Sequence, residues 1–165
     1  MLTVGILTIS DKGSKGERQD KSGEAIREIL SAIDVSVVNY DIVPDEKELI
    51  VKKLVKWADE DNLEVVITTG GTGLTPRDVT PEATLAVVDR IVPGFAEAMR
   101  AESLKKTPHA MLSRAVVGTR GKCLIINLPG SSKAVRECLA VILPALPHAV
   151  ETLKGQAGEC GTAEA

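Results

Sequence analysis

Apolar positions along the chain alternate between two rhythms. Residues 35–43 (VSVVNYDIV) read as a strand with polar positions inside it, whereas 3–9 (TVGILTI), 63–69 (LEVVITT) and 122–128 (KCLIINL) are nearly unbroken apolar or β-branched runs. Such runs are the pattern of strands covered on both faces. Between them the spacing turns helical, with Ile26, Ile29, Leu30 and Ile33 at i, i+3, i+4 and i+7. Ile50, Val51, Leu54, Val55 and Ala58 form the predicted inner face of a second helix. Val135, Cys138, Leu139, Ile142 and Leu146 mark a C-terminal one. Asn39 and Asp41 share one face of the second strand, which places it near a sheet edge.

Local punctuation refines these boundaries. Asp45 follows Pro44 and precedes Glu48 by three residues, a capping-box-like helix start. Thr80-Pro81 reads as an N-cap with proline at the first helical position, and two helical stretches follow it, split by Pro93-Gly94. Residues 10–20 read as a loop rich in Gly, Lys and Ser. Pro144 and Pro147 each remove an amide donor, so the last helix is expected to kink or break there. Residues 156–165 carry no periodicity and are expected to form a flexible tail. Alternating strands and helices imply right-handed βαβ units. The predicted architecture is a single α/β domain over residues 1–155, three layers (α/β/α) around a mostly parallel sheet.

Composition narrows the partners. With 165 residues, 44% hydrophobic and 26% charged, the chain matches one compact domain. The net charge of −3 and the lack of a basic tract argue against nucleic acid. Tyr40, Trp57 and Phe95 are too few for stacking platforms. No apolar run reaches the ~20 residues that span a bilayer. The N-terminus lacks the basic segment of a signal peptide, so a cytoplasmic location is expected. Cys123, Cys138 and Cys160 have no C-x-x-C spacing, and His109 and His148 are far apart. Neither a disulfide framework nor a zinc site follows. G-x-S-x-G and H-E-x-x-H are absent, which leaves nucleophilic hydrolysis without support.

Sheets of this kind bind ligands outside the carboxyl ends of their strands. The loops after Ile9, Val43, Thr69 and Leu128 are therefore the candidate site. The third carries Gly70, Gly71, Thr72 and Gly73, then Arg77, Asp78 and Thr80. Three glycines let backbone amides approach a ligand, and a helix N-terminus lies a few residues on, which together favour an anion such as phosphate. The loop is neither a Walker A motif nor G-x-G-x-x-G. A dinucleotide-dependent oxidoreductase is disfavoured because Ser10-Asp11-Lys12-Gly13, after the first strand, does not supply that fingerprint either. Asp45 and Asp78 are expected at the same end of the sheet. Two carboxylates beside a phosphate site suit Mg²⁺, an oxygen-ligated ion usually shared with substrate phosphates. The first loop adds Ser10, Asp11 and Lys12, and the fourth adds Gly130 and Ser131. Ser131 either caps the last helix or faces the ligand. Lys12 and Arg77 are candidates for charge neutralisation or for plain solvation.

The run TTGGTGLTPRDVTPEAT (68–84) resembles, almost letter for letter, the signature of the molybdopterin-binding adenylyltransferases of molybdenum cofactor biosynthesis. SDKG (10–13), VPDE (43–46), VPGFAEAMR (92–100), AMLSR (110–114) and NLPGS (127–131) extend the resemblance over nearly the whole chain. It implies transfer of AMP from ATP to the terminal phosphate of molybdopterin, releasing pyrophosphate in the presence of Mg²⁺. Asp45 and Asp78 then correspond to the catalytic, metal-holding aspartates. Ser10, Asp11, Gly70, Gly71, Thr72, Gly73, Thr80, Gly130 and Ser131 correspond to substrate-binding positions. A homotrimer and hand-over of the product to a metal-insertion protein are further implications. One departure stands out: the last turn of the family often reads Pro-Gly-x-Pro, here Pro129-Gly130-Ser131-Ser132. A non-catalytic pterin-binding relative of the same fold is the rival reading, and retention of both aspartates favours the enzyme.

Overall fold

The computed structural model describes residues 1–156 and 158. Its strands are β1 (Leu2–Ile9), β2 (Val35–Val43), β3 (Val65–Thr69), β4 (Arg90–Ile91), β5 (Val117–Arg120) and β6 (Cys123–Leu128). They form one six-stranded sheet in the order β2-β1-β3-β6-β5-β4. The first four in that order pair in parallel, and β5 and β4 close one edge antiparallel. The predicted three-layer, mostly parallel α/β architecture is what the chain adopts.

Period-two alternation explains the layers. Val4, Ile6, Val65, Ile67, Leu124 and Ile126 face one core, against α2 (Lys21–Leu30), α5 (Pro93–Leu104), α6 (Ser132–Ile142) and α7 (Leu146–Leu153). Leu7, Ile9, Val66, Cys123 and Ile125 face the other, against α3 (Lys47–Val55) and α4 (Thr80–Leu85). Each fully buried Ile or Leu contributes about 1.5–3 kcal/mol, so an almost wholly aliphatic core suffices. Trp57 is the aromatic exception. The helix widens into a π-turn at Lys56–Glu60, which seats Trp57 in the core beside Gly5. A Cβ at Gly5 would lie 2.8 Å from the indole, so the glycine makes room for it.

β2 is an edge strand, as its polar positions require. Asn39 donates to Asp61 at 2.8 Å and Asp41 pairs with Lys53 at 2.5 Å, both along the rim. The expected break in the last helix is present as well. α6 ends at Ile142, a 3₁₀ turn spans Leu143–Ala145, and α7 begins with Pro147 in its first turn.

Four local expectations are corrected. Asp11–Ser14 is not loop but one helical turn, α1, capped by Ser10, whose Oγ accepts from the Gly13 amide at 3.0 Å. Asp45 does not cap α3: Glu46 holds the cap position without a side-chain bond, because the Asp45 carboxylate is engaged elsewhere. Val79, not Thr80, occupies the cap position of α4, and Thr80 lies inside its first turn. β4 and β5 have no counterpart among the predicted strands. Both are short, and β5 carries Gly118, where a Cβ would meet the Arg90 carbonyl at 2.8 Å. The expected tail lies outside the described residues, Gln156 and Gly158 apart. Among the described residues, no helix is long and apolar enough to cross a membrane.

Candidate active site

Because β1, β2, β3 and β6 run parallel, the loops leaving them meet at one end of the sheet. They enclose an open cavity of about 1060 Å³. Ser10, Asp11, Asp45, Gly70, Gly71, Asp78, Gly130 and Ser131 all line it. Thr72 and Gly73 instead line an adjoining cavity of about 420 Å³, walled by α5, α6 and the 3₁₀ turn Pro108–Leu112. Gly71, Asp78 and Gly130 belong to both and form the junction. Thr80 lines neither. Its side chain is wholly buried, so its place is beneath the glycine loop and not against a ligand.

The first two loops are knitted together by their aspartates. The Asp11 amide donates to Asp45 Oδ2 at 2.9 Å, and the Asp45 amide donates to Asp11 Oδ1 at 3.0 Å. Arg77 grips Asp11 from the third loop through Nε (3.0 Å) and Nη2 (2.8 Å). That guanidinium holds the Asp11 carboxyl below the usual carboxylate range. Asp45 shifts the other way. Burial pushes its carboxyl up, and the negative charges of Asp11 and Asp78 add to the rise against the opposing Asp11 amide bond. The positive charge of Arg77 also opposes the rise without reversing it, so Asp45 faces the cavity as a disfavoured negative charge within electrostatic reach of Asp78.

The glycine loop rests on both aspartates. A Cβ at Gly71 would lie 3.3 Å from Asp45 Oδ1, and one at Gly73 would lie 2.9 Å from Asp78 Oδ2. Gly70 and Gly71 have φ of +96° and +69°, the left-handed region where side chains are strained. Asp78 is set by a tight local turn, accepting from the Thr75 amide at 2.9 Å through Oδ2. On the opposite flank, Ser131 caps α6 by accepting from the Ala134 amide at 3.2 Å. Its side chain is exposed at the cavity rim, so the cap and the cavity share one residue.

Arg114, Asp20, Ser22, Arg18 and Lys21 also build the site, and no local sequence pattern marks their roles. Arg114 binds the glycine loop from behind, donating to the Gly73 and Asp78 carbonyls at 2.8 and 2.9 Å and pairing with Glu82. Its position within AMLSR is the only hint of it. At the far rim, Asp20 caps α2 through the Gly23 amide at 2.9 Å and accepts from Thr8 Oγ1 at 2.6 Å and from the Tyr40 hydroxyl. Ser22 then donates to the Gly130 carbonyl, linking α2 to the fourth loop. Lys12, Arg18 and Lys21 also line the larger cavity and supply its positive charge.

Among the described residues, no group of three or more acidic, histidine or cysteine side chains is placed to cage a metal. Asp45 and Asp78 supply two carboxylates. That donor set fits an ion that takes its other ligands from water and substrate phosphates, as Mg²⁺ does. It does not fit a zinc site, which needs three or four protein ligands.

Comparison with known proteins agrees in extent and fold. Residues 5–148 match the family model described as a probable molybdopterin binding domain. The chain is 49% identical over 154 residues to the molybdopterin adenylyltransferase of Helicobacter pylori J99, covering 92% of this chain and 88% of the relative. It is 40% identical to the molybdopterin adenylyltransferase of Escherichia coli K12, covering 93% and 86% respectively. Among solved structures, the molybdopterin biosynthesis enzyme MoaB of Thermus thermophilus superposes with a TM-score of 0.90 at 54% identity. That match covers 96% of this chain and all of the other.

Proposed function

The chain belongs to the family of probable molybdopterin binding domains, and from that premise we propose that it is a molybdopterin adenylyltransferase. It transfers AMP from ATP to the terminal phosphate of molybdopterin and releases pyrophosphate, a step of molybdenum cofactor biosynthesis. The observation that carries this reading is the convergence of Asp45, Asp78 and the first two glycines of the loop, Gly70 and Gly71, on one cavity.

The chemistry asks little of a base. A phosphate monoester has its second pKa near ~6, so the pterin phosphate is largely a dianion at neutral pH and attacks the α-phosphorus directly. As that oxygen bonds to phosphorus, the bond to the bridging oxygen of pyrophosphate breaks. No histidine lines the larger cavity, and none is needed. The obstacle is repulsion between two polyanions, so positioning and charge neutralisation carry the rate. Lys12 of α1, Arg18 and Lys21 of α2 line the cavity that would take the phosphates and would offset their charge. Asp45 and Asp78 are the residues that would hold Mg²⁺, whose positive charge would offset the repulsion of the reacting phosphates. Two adjoining cavities that share Asp78, Gly71 and Gly130 match a reaction of two large substrates meeting at one phosphorus. The same reading has the chain act as a homotrimer and pass the adenylylated pterin to a metal-insertion protein.

Pyrophosphate release from ATP in the presence of molybdopterin tests the proposal. We expect turnover by the wild type, and pterin binding without AMP transfer in Asp45→Ala and Asp78→Ala. Tight pterin binding by the wild type with no pyrophosphate release would make the chain a binding protein instead.

A further inference from the structure

The glycine loop is held by its carbonyls, one after another. Thr80 Oγ1 donates to the Gly70 carbonyl at 2.9 Å, and the Thr80 amide donates to the Gly71 carbonyl at 3.1 Å. The Arg114 amide donates to the Thr72 carbonyl at 2.9 Å, and Arg114 Nε donates to the Gly73 carbonyl at 2.8 Å. Four consecutive carbonyls are thus tied to only two residues. In a planar trans peptide the N–H points opposite to the carbonyl it follows. Anchoring the carbonyls of residues 70 to 73 therefore fixes the directions of the amides of residues 71 to 74, away from Thr80 and Arg114.

Those four amides are unspent. Among the described residues, the N–H groups of Gly71, Thr72, Gly73 and Leu74 donate to no protein acceptor. Every one of the matching carbonyls is satisfied. A loop held together only by its own needs would distribute its bonds over donors and acceptors alike. Here the acceptors are consumed and the donors are left, in a stretch where Gly71, Thr72 and Gly73 line the cavities. Successive free amides of this kind form a concave cradle for anions.

We propose that Arg114 is a positioning residue: with Thr80, it turns the loop carbonyls away from the cavities and so presents the amides of Gly71 to Leu74 to a substrate phosphate. This deepens the adenylyltransferase reading, on which it rests, by naming what organises its phosphate cradle. The guanidinium is well suited to the task. Nε and Nη2 reach the Gly73 and Asp78 carbonyls while Nη1 pairs with Glu82 on α4, so the plane of the fork is fixed at three points. A lysine at the same place would keep the charge and lose the fork.

Backbone amide resonances of the full chain, titrated with inorganic pyrophosphate in a magnesium-containing buffer, test this directly. In the wild type we expect the amides of residues 71 to 74 to shift with saturable dependence on pyrophosphate. In Arg114→Lys we expect those shifts to be lost and pyrophosphate affinity to fall at least ~10-fold, with the thermal transition retained. Wild-type affinity in Arg114→Lys would reduce Arg114 to a charge and overturn the inference. Unmoved amides in the wild type would overturn it too, whether or not the variant folds and whether or not AMP transfer is seen. Shifted amides in a chain that never releases pyrophosphate from ATP would sink the enzymatic reading and leave this one standing.

Discussion

Asp11 and Asp45, 34 residues apart in sequence, each accept the other's backbone amide on a carboxylate oxygen, at 3.0 and 2.9 Å. This exchange locks the loop after β1 to the loop after β2. Like charges are brought together in the process, and they are handled asymmetrically. Arg77 neutralises Asp11, while Asp45 faces the cavity with Asp78 for company. The arrangement concentrates negative charge where a cation would relieve it, and it makes stability and activity pull in opposite directions at Asp45.

Asp45→Asn is the first test of that opposition. The raised pKa of Asp45 means that its charged form is disfavoured by folding. Its contribution to stability is therefore lost as pH rises from the ordinary Asp value, about 3.9, through the raised folded value. The asparagine keeps an acceptor for the Asp11 amide and removes the charge. We expect a thermal transition at pH 7 equal to or above that of the wild type, with the advantage gone at pH 3. AMP transfer should fall about 100-fold or more. A variant clearly less stable than the wild type at pH 7 would contradict the account.

Arg77→Gln probes the opposite sign. Arg77 lowers the Asp11 pKa, so the pair stabilises the fold above the ordinary Asp range and the benefit is lost as pH falls through the lowered folded value. Both side chains are substantially exposed, so solvent screens the pair and the loss at pH 7 should be small. Urea denaturation should show the gap between wild type and variant closing under acid and shrinking in high salt. A gap that grows under acid would reject the assignment.

Gly71→Ala and Gly73→Ala separate backbone strain from side-chain displacement. At Gly71 the φ of +69° penalises any side chain, and the new Cβ would collide with the buried Thr80 hydroxyl. We expect a stability loss of about 2 kcal/mol or more by chemical denaturation. Gly73 has no left-handed φ, and its new Cβ would press only on the Asp78 carboxylate, 2.9 Å away. That variant should melt close to the wild type yet lose AMP transfer by ~10²-fold through misplacement of Asp78. Equal effects of the two substitutions on melting would refute the distinction.

Asn127→Leu addresses the floor of the site. Asn127 is fully buried, donating to Thr68 and Thr84 at 3.0 and 2.9 Å and accepting from the Val116 amide at 3.1 Å. Leucine would leave that amide and the Thr68 hydroxyl without a partner, while the Thr84 hydroxyl keeps only its bond to the Thr80 carbonyl. At about 1–3 kcal/mol for an unsatisfied buried group, the fold should lose about 3 kcal/mol in urea or guanidinium denaturation. A loss under about 0.5 kcal/mol, the range of ordinary surface substitutions, would show that the network is not needed.

Much of this molecule is legible without coordinates. Strands buried on both faces write unbroken apolar runs, so β1, β3 and β6 stand out, β2 shows its edge position through Asn39 and Asp41, and parallel strands force their exit loops to one end. Asp45, Asp78 and the glycine loop are thus assignable to a common site from the order of the elements alone. Helix faces such as Ile26, Ile29 and Leu30 follow from spacing, and Pro144 and Pro147 mark their own break.

What the linear chain does not carry is which polar group meets which. The Asp11–Asp45 exchange, the grip of Arg77 and the hold of Arg114 on Gly73, 41 residues away, join positions that no local pattern relates. Thr80 reads as a cap and proves to be a buried support, because the fold places the Gly70 carbonyl against its hydroxyl. β4 and β5 are too short for any period to register. Apolar burial is non-directional and repeats along an element, so sequence records it. Hydrogen bonds and ion pairs depend on distance and angle at single atoms, so only the folded chain decides them.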